Sequence, residues 1–178
     1  MLSAKALKIV WHDDPRYWEW RHRHGSRFHE VAYLIEVCWF SVSGYLDCRM
    51  PPGAYTVSFR LQLNDESDGW SEMPVNFLLS TSDGQHSQSQ RYLNLDGDED
   101  LDEDQLELVD LTSRRVVADD WMEYDVGEFT TMSIDEPIQI QFSMKDTEGN
   151  HWKRGLFLDG VVIRPSYLVP HYVSEEGE

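Results

Sequence analysis

Three sets of residues in this chain have the types and spacing to do chemistry. Asp96, Asp98, Asp100 and Glu107 stand at positions 1, 3, 5 and 12 of a segment patterned like a calcium loop, which wraps the ion in carboxylate oxygens. The sharp turn at position 6 of such a loop needs glycine, and Leu101 stands there, with no amphipathic helix on either side. The segment is therefore read as a solvated acidic insert, because dense like charge resists packing. His22, His24 and His29 supply imidazoles, but arginines surround them and no cysteine or carboxylate completes a metal set. Glu123 and Glu128, near Trp121, have the residue types for glycoside hydrolysis, yet their odd spacing puts them on opposite faces of a strand. No nucleophile elbow, phosphate-cradling glycine loop or zinc-hydrolase motif occurs. The expectation is a protein that is not an enzyme and needs neither metal nor cofactor.

The tryptophans are more informative, at seven in 178 residues. Trp11, Trp18 and Trp20 flank the polar run from His12 to Tyr17, which can hold aromatic faces in the open. An indole face packs on the slightly positive C–H groups of a pyranose, while nearby Asp, Glu or Asn accept its hydroxyl protons. Tryptophan in a β-sandwich is more usually core, which is the expectation for Trp39 between Val37 and Phe40. Composition does not choose between these roles for Trp11 and Trp18. Exposed indoles there point to a glycan, and burial of both points to a protein-interaction module.

The elements that must position these residues are strands. Tyr55, Val57, Phe59, Leu61 and Leu63 alternate with polar residues and share one strand face. Ala6 to Trp11, Val31 to Ser43 (closed by Gly44), Val75 to Ser80, Ile138 to Met144, and Leu156 to Ile163 with Gly160 inside it also read as strands. Asp83-Gly84 reads as a turn and Ser82 to Ser89 as a polar mobile loop; a short helix opened by carboxylates and Pro15 is predicted over Asp13 to Trp20. Short strands at this spacing predict an all-β, antiparallel sandwich with one or two short helices. One domain is expected over residues 1–170, carrying an acidic insert at about 94–118, followed by an acidic tail at 171–178.

Charge and cysteines limit the partners. The formal charge is −18, but nine carboxylates between Asp96 and Asp110 and three in the tail account for most of it, and without those twelve the body carries −6. A mildly acidic body argues against nucleic acid, which needs clustered Lys and Arg; the short run Arg21 to His24 with Arg27 is read as a solvated loop. No stretch approaches a membrane span, and the opening residues lack the apolar run of a secretory signal. Two cysteines cannot provide a disulfide framework, so Cys38 and Cys48 are expected as reduced thiols, with Cys38 a small hydrophobe rather than a redox group.

Four blocks, in order along nearly the whole chain, resemble the phloem protein 2 (Nictaba-like) family of plant lectins. They are AKALKIVWHDDPRYWEW at 4–20, VAYLIEVCWF at 31–40, DWMEYDVGEF at 120–129 and GNHWKRGLFLDGVVIRP at 149–165. The resemblance implies a jelly-roll-like sandwich, a homodimer in the plant cytoplasm and nucleus, and binding of N-acetylglucosamine oligomers (chito-oligosaccharides) or the chitobiose core of N-glycans. It places the sugar on Trp11 and Trp18 of the opening block, with Trp18 the main platform, and on late acidic residues. Glu148 answers to those, together with Gln141, which stands where an acid is often found. Asp14, Tyr17 and Trp152 are expected to line the rim. The acidic insert departs from the compact family pattern and is read as length variation. The same resemblance leaves a competing reading, a protein-interaction or F-box-type substrate-recognition module without strong sugar binding; no F-box-like helical segment precedes Lys5.

Overall fold

In the computed structural model, residues 1–93 and 114–166 are described. Among these residues twelve strands occur in chain order: β1 (Leu2–Ser3), β2 (Lys8–Ile9), β3 (Trp18–Arg21), β4 (Val31–Leu34), β5 (Phe40–Cys48), β6 (Gly53–Asp68), β7 (Val75–Thr81), β8 (His86–Arg91), β9 (Arg114–Val116), β10 (Met122–Thr131), β11 (Ile138–Asp146) and β12 (Arg154–Pro165). Sheet I runs β3-β4-β12-β6-β10-β9, with β1 also on β12; sheet II runs β2-β5-β11-β7-β8, and every pairing is antiparallel. The two sheets bury their inner faces against each other, which makes an all-β sandwich. Among the described residues no helix is long and apolar enough to cross a membrane.

The core follows the two-residue period. From β6, Tyr55, Val57, Phe59 and Leu61 point inward, and Phe59 meets the rings of Phe77 on β7 and Phe142 on β11 at 6.3 and 5.9 Å. Leu63, at the end of this series, is half-buried. Burial of one such aromatic is worth about 1.5–3 kcal/mol, and a face of them holds the sheets together.

Several expectations are corrected. The helix over Asp13 to Trp20 does not form: that stretch is a chain of turns leading into β3, and a 3-10 turn lies earlier, at Ala4–Ala6. This turn also shortens the strand expected over Ala6 to Trp11 to Lys8–Ile9. Val31 to Ser43 is not one strand, because β4 ends at Leu34 in sheet I and β5 begins at Phe40 in sheet II. In between, the amide of Ile35 bonds Tyr17 O (2.9 Å) and Val37 pairs with Lys153, so the backbone leaves one ladder for the other. Gly44 does not close β5 but lies inside it, where a Cβ would come within 2.9 Å of the Phe142 ring and Leu7. Ser82 to Ser89 is not a free loop, since β8 pairs along β7 from Val75↔Arg91 to Ser80↔His86.

The acidic segment with its calcium-like spacing, residues 94–113, and the tail from 167 lie outside the described residues. Arg114–Val116, within the stretch expected as insert, forms β9 on the edge of β10. The register of β10 shifts between Asp125 and Gly127, and this bulge returns Glu128 to the same outer face as Glu123, contrary to the expectation from spacing. Glu123 is 3% exposed and ion-paired to Arg60, Arg115 and Arg164.

A candidate binding rim built from loop tryptophans

At one end of the sandwich four connections meet: residues 10–17, 35–39, 69–74 and 147–153. A backbone bond from Ile35 N to Tyr17 O (2.9 Å) ties the first two together, and Val10 N to Ser41 O (3.1 Å) ties the first to β5. The second and fourth are joined by reciprocal bonds between Val37 and Lys153 at 2.9 and 2.8 Å, and by the Cys38 thiol facing Gly149 O at 3.7 Å. Gly69 lies against the backbone of Trp152, where a Cβ would stand 2.0 Å from its carbonyl oxygen, so this contact requires glycine. These loops carry every exposed tryptophan of the described residues: Trp11 at 45%, Trp39 at 50% and Trp152 at 53%.

Each indole is held by a specific local device. Trp11 has φ of +63°, a left-handed conformation that is costly for a bulky residue. Successive turn bonds hold it, His12 N to Ile9 O and Asp14 N to Trp11 O. Asp14 in turn accepts from the Arg16 amide at 3.0 Å and from its guanidinium at 2.7 Å, and this Arg16 contact pulls the Asp14 carboxyl below its usual range. The Tyr17 ring lies 5.2 Å from Trp11 and tilted to it. Trp152 stands between two anchored neighbours. Lys153, fully buried, donates to Asp146 (3.1 Å) and to Cys38 O (3.0 Å), while His151 Nε2 lies 2.9 Å from the same Asp146 oxygen. A buried charge so completely partnered fixes the loop above it.

The expected site residues separate into groups. Trp11, Asp14, Tyr17, Glu148 and Trp152 all lie on the converging loops, with Glu148 exposed in the turn before Gly149. Trp18 is corrected: it is 4% exposed, pairs across from Leu34, and stacks on Phe40 at 6.3 Å. It cannot be the main open platform. Its remaining edge contributes to an open depression of about 490 Å3 beside His12, Asp13, Pro15, Glu19 and Trp20. Gln141 lies apart from these loops, in mid-β11 between Tyr45 and Ser80 on the outer face of sheet II. Trp39, expected in the core, is the residue that the sequence reading missed. Val37 and Phe40 beside it are buried as expected, but the chain crosses between sheets there and leaves its side chain without a layer to enter.

The other sets are accounted for differently. His22 Nδ1 lies 3.0 Å from His29 O, and among the described residues no three His, Cys, Asp or Glu side chains are grouped to hold a metal. The run expected as a solvated loop packs on sheet I, with Arg21 3.9 Å over Tyr33 and Arg23 4.4 Å over Phe157. Cys38 and Cys48 are free thiols, and burial, then Asp47, pushes the Cys48 thiol up. Chemically, the loop end offers three indole faces beside exposed acceptors at Glu36, Glu148 and Asn150.

Comparison with known proteins gives a consistent set of relatives. Residues 1–165 match the family described as phloem protein 2. The F-box protein PP2-A15 of Arabidopsis thaliana is 37% identical, over 92% of this chain and 55% of its own length. F-box protein PP2-A11 of the same plant is 36% identical (92% and 54%), and its PHLOEM PROTEIN 2-LIKE A1 is 33% identical (93% and 61%). The chain thus spans about half the length of the F-box relatives it matches. Among solved structures, a GH26-CBM35 β-(1,4)-mannanase from Podospora anserina aligns with a TM-score of 0.48 at 10% identity, over 96% of this chain and 28% of that one. TmCBM61 in complex with β-1,4-galactotriose aligns with a TM-score of 0.40 at 17% identity, over 90% and 83%.

Proposed function

The chain belongs to the phloem protein 2 family, and from that premise we propose that it is a non-catalytic lectin domain that binds N-acetylglucosamine oligomers, or the chitobiose core of N-glycans, on its loop rim. The observation that carries this reading is the concentration of Trp11, Trp39 and Trp152, each about half exposed, on loops fastened to one another by backbone hydrogen bonds. Large apolar side chains grouped at a surface mark a contact site, and rigid loops lower the entropy lost on binding. Pyranose C–H faces stack on the indoles, the acetamido methyl finds apolar surface, and Glu148 accepts hydroxyl or amide protons. Asp14 shapes the Trp11 turn, and the Trp18 amide donates to Asp14 O (3.1 Å). Single-sugar contacts on so open a surface are weak, so useful avidity comes from longer oligomers or from a homodimer presenting two rims in the plant cytoplasm and nucleus.

Calorimetric titration with chitotriose tests the reading. Trp152→Ala and Trp39→Ala are each expected to weaken binding about tenfold, equivalent to about 1.4 kcal/mol. A folded protein that gives neither heat nor a fluorescence change at millimolar sugar overturns it. A second reading rests on the names and lengths of the relatives: two of them are F-box proteins that the chain matches over about half their length. In that case the same rim recognises a protein, and the silent titration is its expected result.

A further inference from the structure

A second pocket lies away from the rim, at the other end of β12. It measures about 490 Å3 and is walled by Met1, Val117, Val162 and Pro165, with Arg27, Arg115, Arg164 and Glu123 as its charged groups and the Thr56 and Ser166 hydroxyls at its edge. Rim loop 147–153 enters β12 at Arg154, whereas Arg164 and Pro165 are the strand's last residues.

Four arginines, Arg27, Arg60, Arg115 and Arg164, gather around this pocket. Glu123 alone is shared by Arg60, Arg115 and Arg164. Arg60 is also bound by Asp159 (2.9 Å) and Arg115 by Asp125 (3.1 Å), but the only ion pair of Arg164 among the described residues is with Glu123. A guanidinium has five N–H donors, and the buried Nε of both Arg115 and Arg164 has no partner among the described residues. Arg27 is exposed at the mouth without an ion pair among the described residues, its backbone held by Asp159 at 2.8 Å. Glu128, which accepts from Thr56 at 3.3 Å, is exposed on the same face. Burial, then the neighbouring Arg115, Arg27 and Arg60, pulls the Arg164 guanidinium below its ordinary value. Burial and neighbouring like charge both disfavour its charged form.

We propose that this pocket binds a small organic anion, a carboxylate or phosphate on an apolar body, with Arg164 and Arg27 gripping the head and Val117, Val162 and Pro165 enclosing the body. Guanidinium pairs with such oxygens bidentately, and the volume lies within the roughly 300–1,000 Å3 usual for small-molecule sites. The site is independent of the sugar rim.

The test is calorimetry with phenyl phosphate, benzoate and inorganic phosphate, with neutral benzyl alcohol as control, on the full chain at low salt. Saturable binding of phenyl phosphate or benzoate is expected, and which binds tighter identifies the head group. Inorganic phosphate binds more weakly because it lacks the body, and benzyl alcohol does not bind. Arg164→Gln is expected to lower affinity about tenfold and Arg27→Gln, at an exposed side chain, about fivefold, while Trp152→Ala leaves anion affinity unchanged. Equal binding of benzyl alcohol, affinity retained in Arg27→Gln, or no binding of any anion at millimolar concentration overturns the proposal.

Discussion

The outer faces of the two sheets are both polar in sequence and opposite in condition. On sheet I, Thr56, Ser58, Arg60 and Gln62 of β6 are all below 7% exposed, together with Glu123 and Asp159. Residues 21–30 and 119–121 cover them, through Arg23 to Gln62 (2.7 Å), Gln62 to Asp119 O (2.9 Å) and Trp121 to His24 O (2.9 Å). On sheet II, Tyr45 is 68% exposed, and the side-chain amides of Gln139, Gln141 and Gln90 bond neighbours on the same face, Asp47, Gln139 and Asn76. Polar alternation therefore identifies a face but not its solvent. A covered polar face must satisfy its groups internally, which commits its charges to structure and leaves binding capacity only at its margins.

The sharpest way to break this comparison is Asp159→Ala, which removes the carboxylate bonded to buried Arg60 at 2.9 Å and is expected to cost about 3–5 kcal/mol in urea unfolding. Gln141→Ala, on the open face, is expected to stay within about 0.5 kcal/mol and to leave chitotriose affinity unchanged. Equal costs for the two would abolish the contrast. Smaller is the effect of Gly44→Ala, which drives a methyl toward Phe142 and Leu7 on the inner face of sheet II and is expected to cost about 1–3 kcal/mol by the same measurement. Trp152→Ala sharpens the picture from the rim: a tenfold affinity loss should come with a stability change below about 0.5 kcal/mol, since an exposed indole supports no core.

The smallest effect concerns pH. The folded Asp14 carboxyl lies below its unfolded value near ~3.9, so the Asp14–Arg16 clasp contributes fully above that pH and is lost as pH falls through the depressed folded value. The Trp11 indole N–H resonance should hold steady from neutral pH to about 5 and shift only in stronger acid. Asp14→Asn should move it already at neutral pH. A shift of the wild-type resonance between pH 7 and about 5 would count against the clasp as the anchor of that turn.

Legibility varied with how local the deciding physics is. The Tyr55 to Leu61 series was readable because a strand's period of two needs no outside information. Ser87 to Gln90 carries no apolar residue, and it is a strand because β7 supplies its ladder. Glu123 and Glu128 share a face only through the bulge at Asp125–Gly127, which spacing alone cannot reveal. Of the expected site, Trp11, Asp14, Tyr17, Glu148 and Trp152 do occupy one set of loops, whereas Gln141 does not, because β11 carries it along the sheet away from them.

Sequence by itself determined that the chain is a β-sandwich, through alternation repeated in short runs, and that it carries seven tryptophans, three of them around the polar run from His12 to Tyr17. Only the tertiary structure decided which tryptophans face outward. Trp18 and Trp39 exchange their expected roles because burial depends on what stands opposite. Trp18 is registered against Leu34 and roofed by Phe40, while Trp39 sits where the chain passes between sheets and no layer lies across from it.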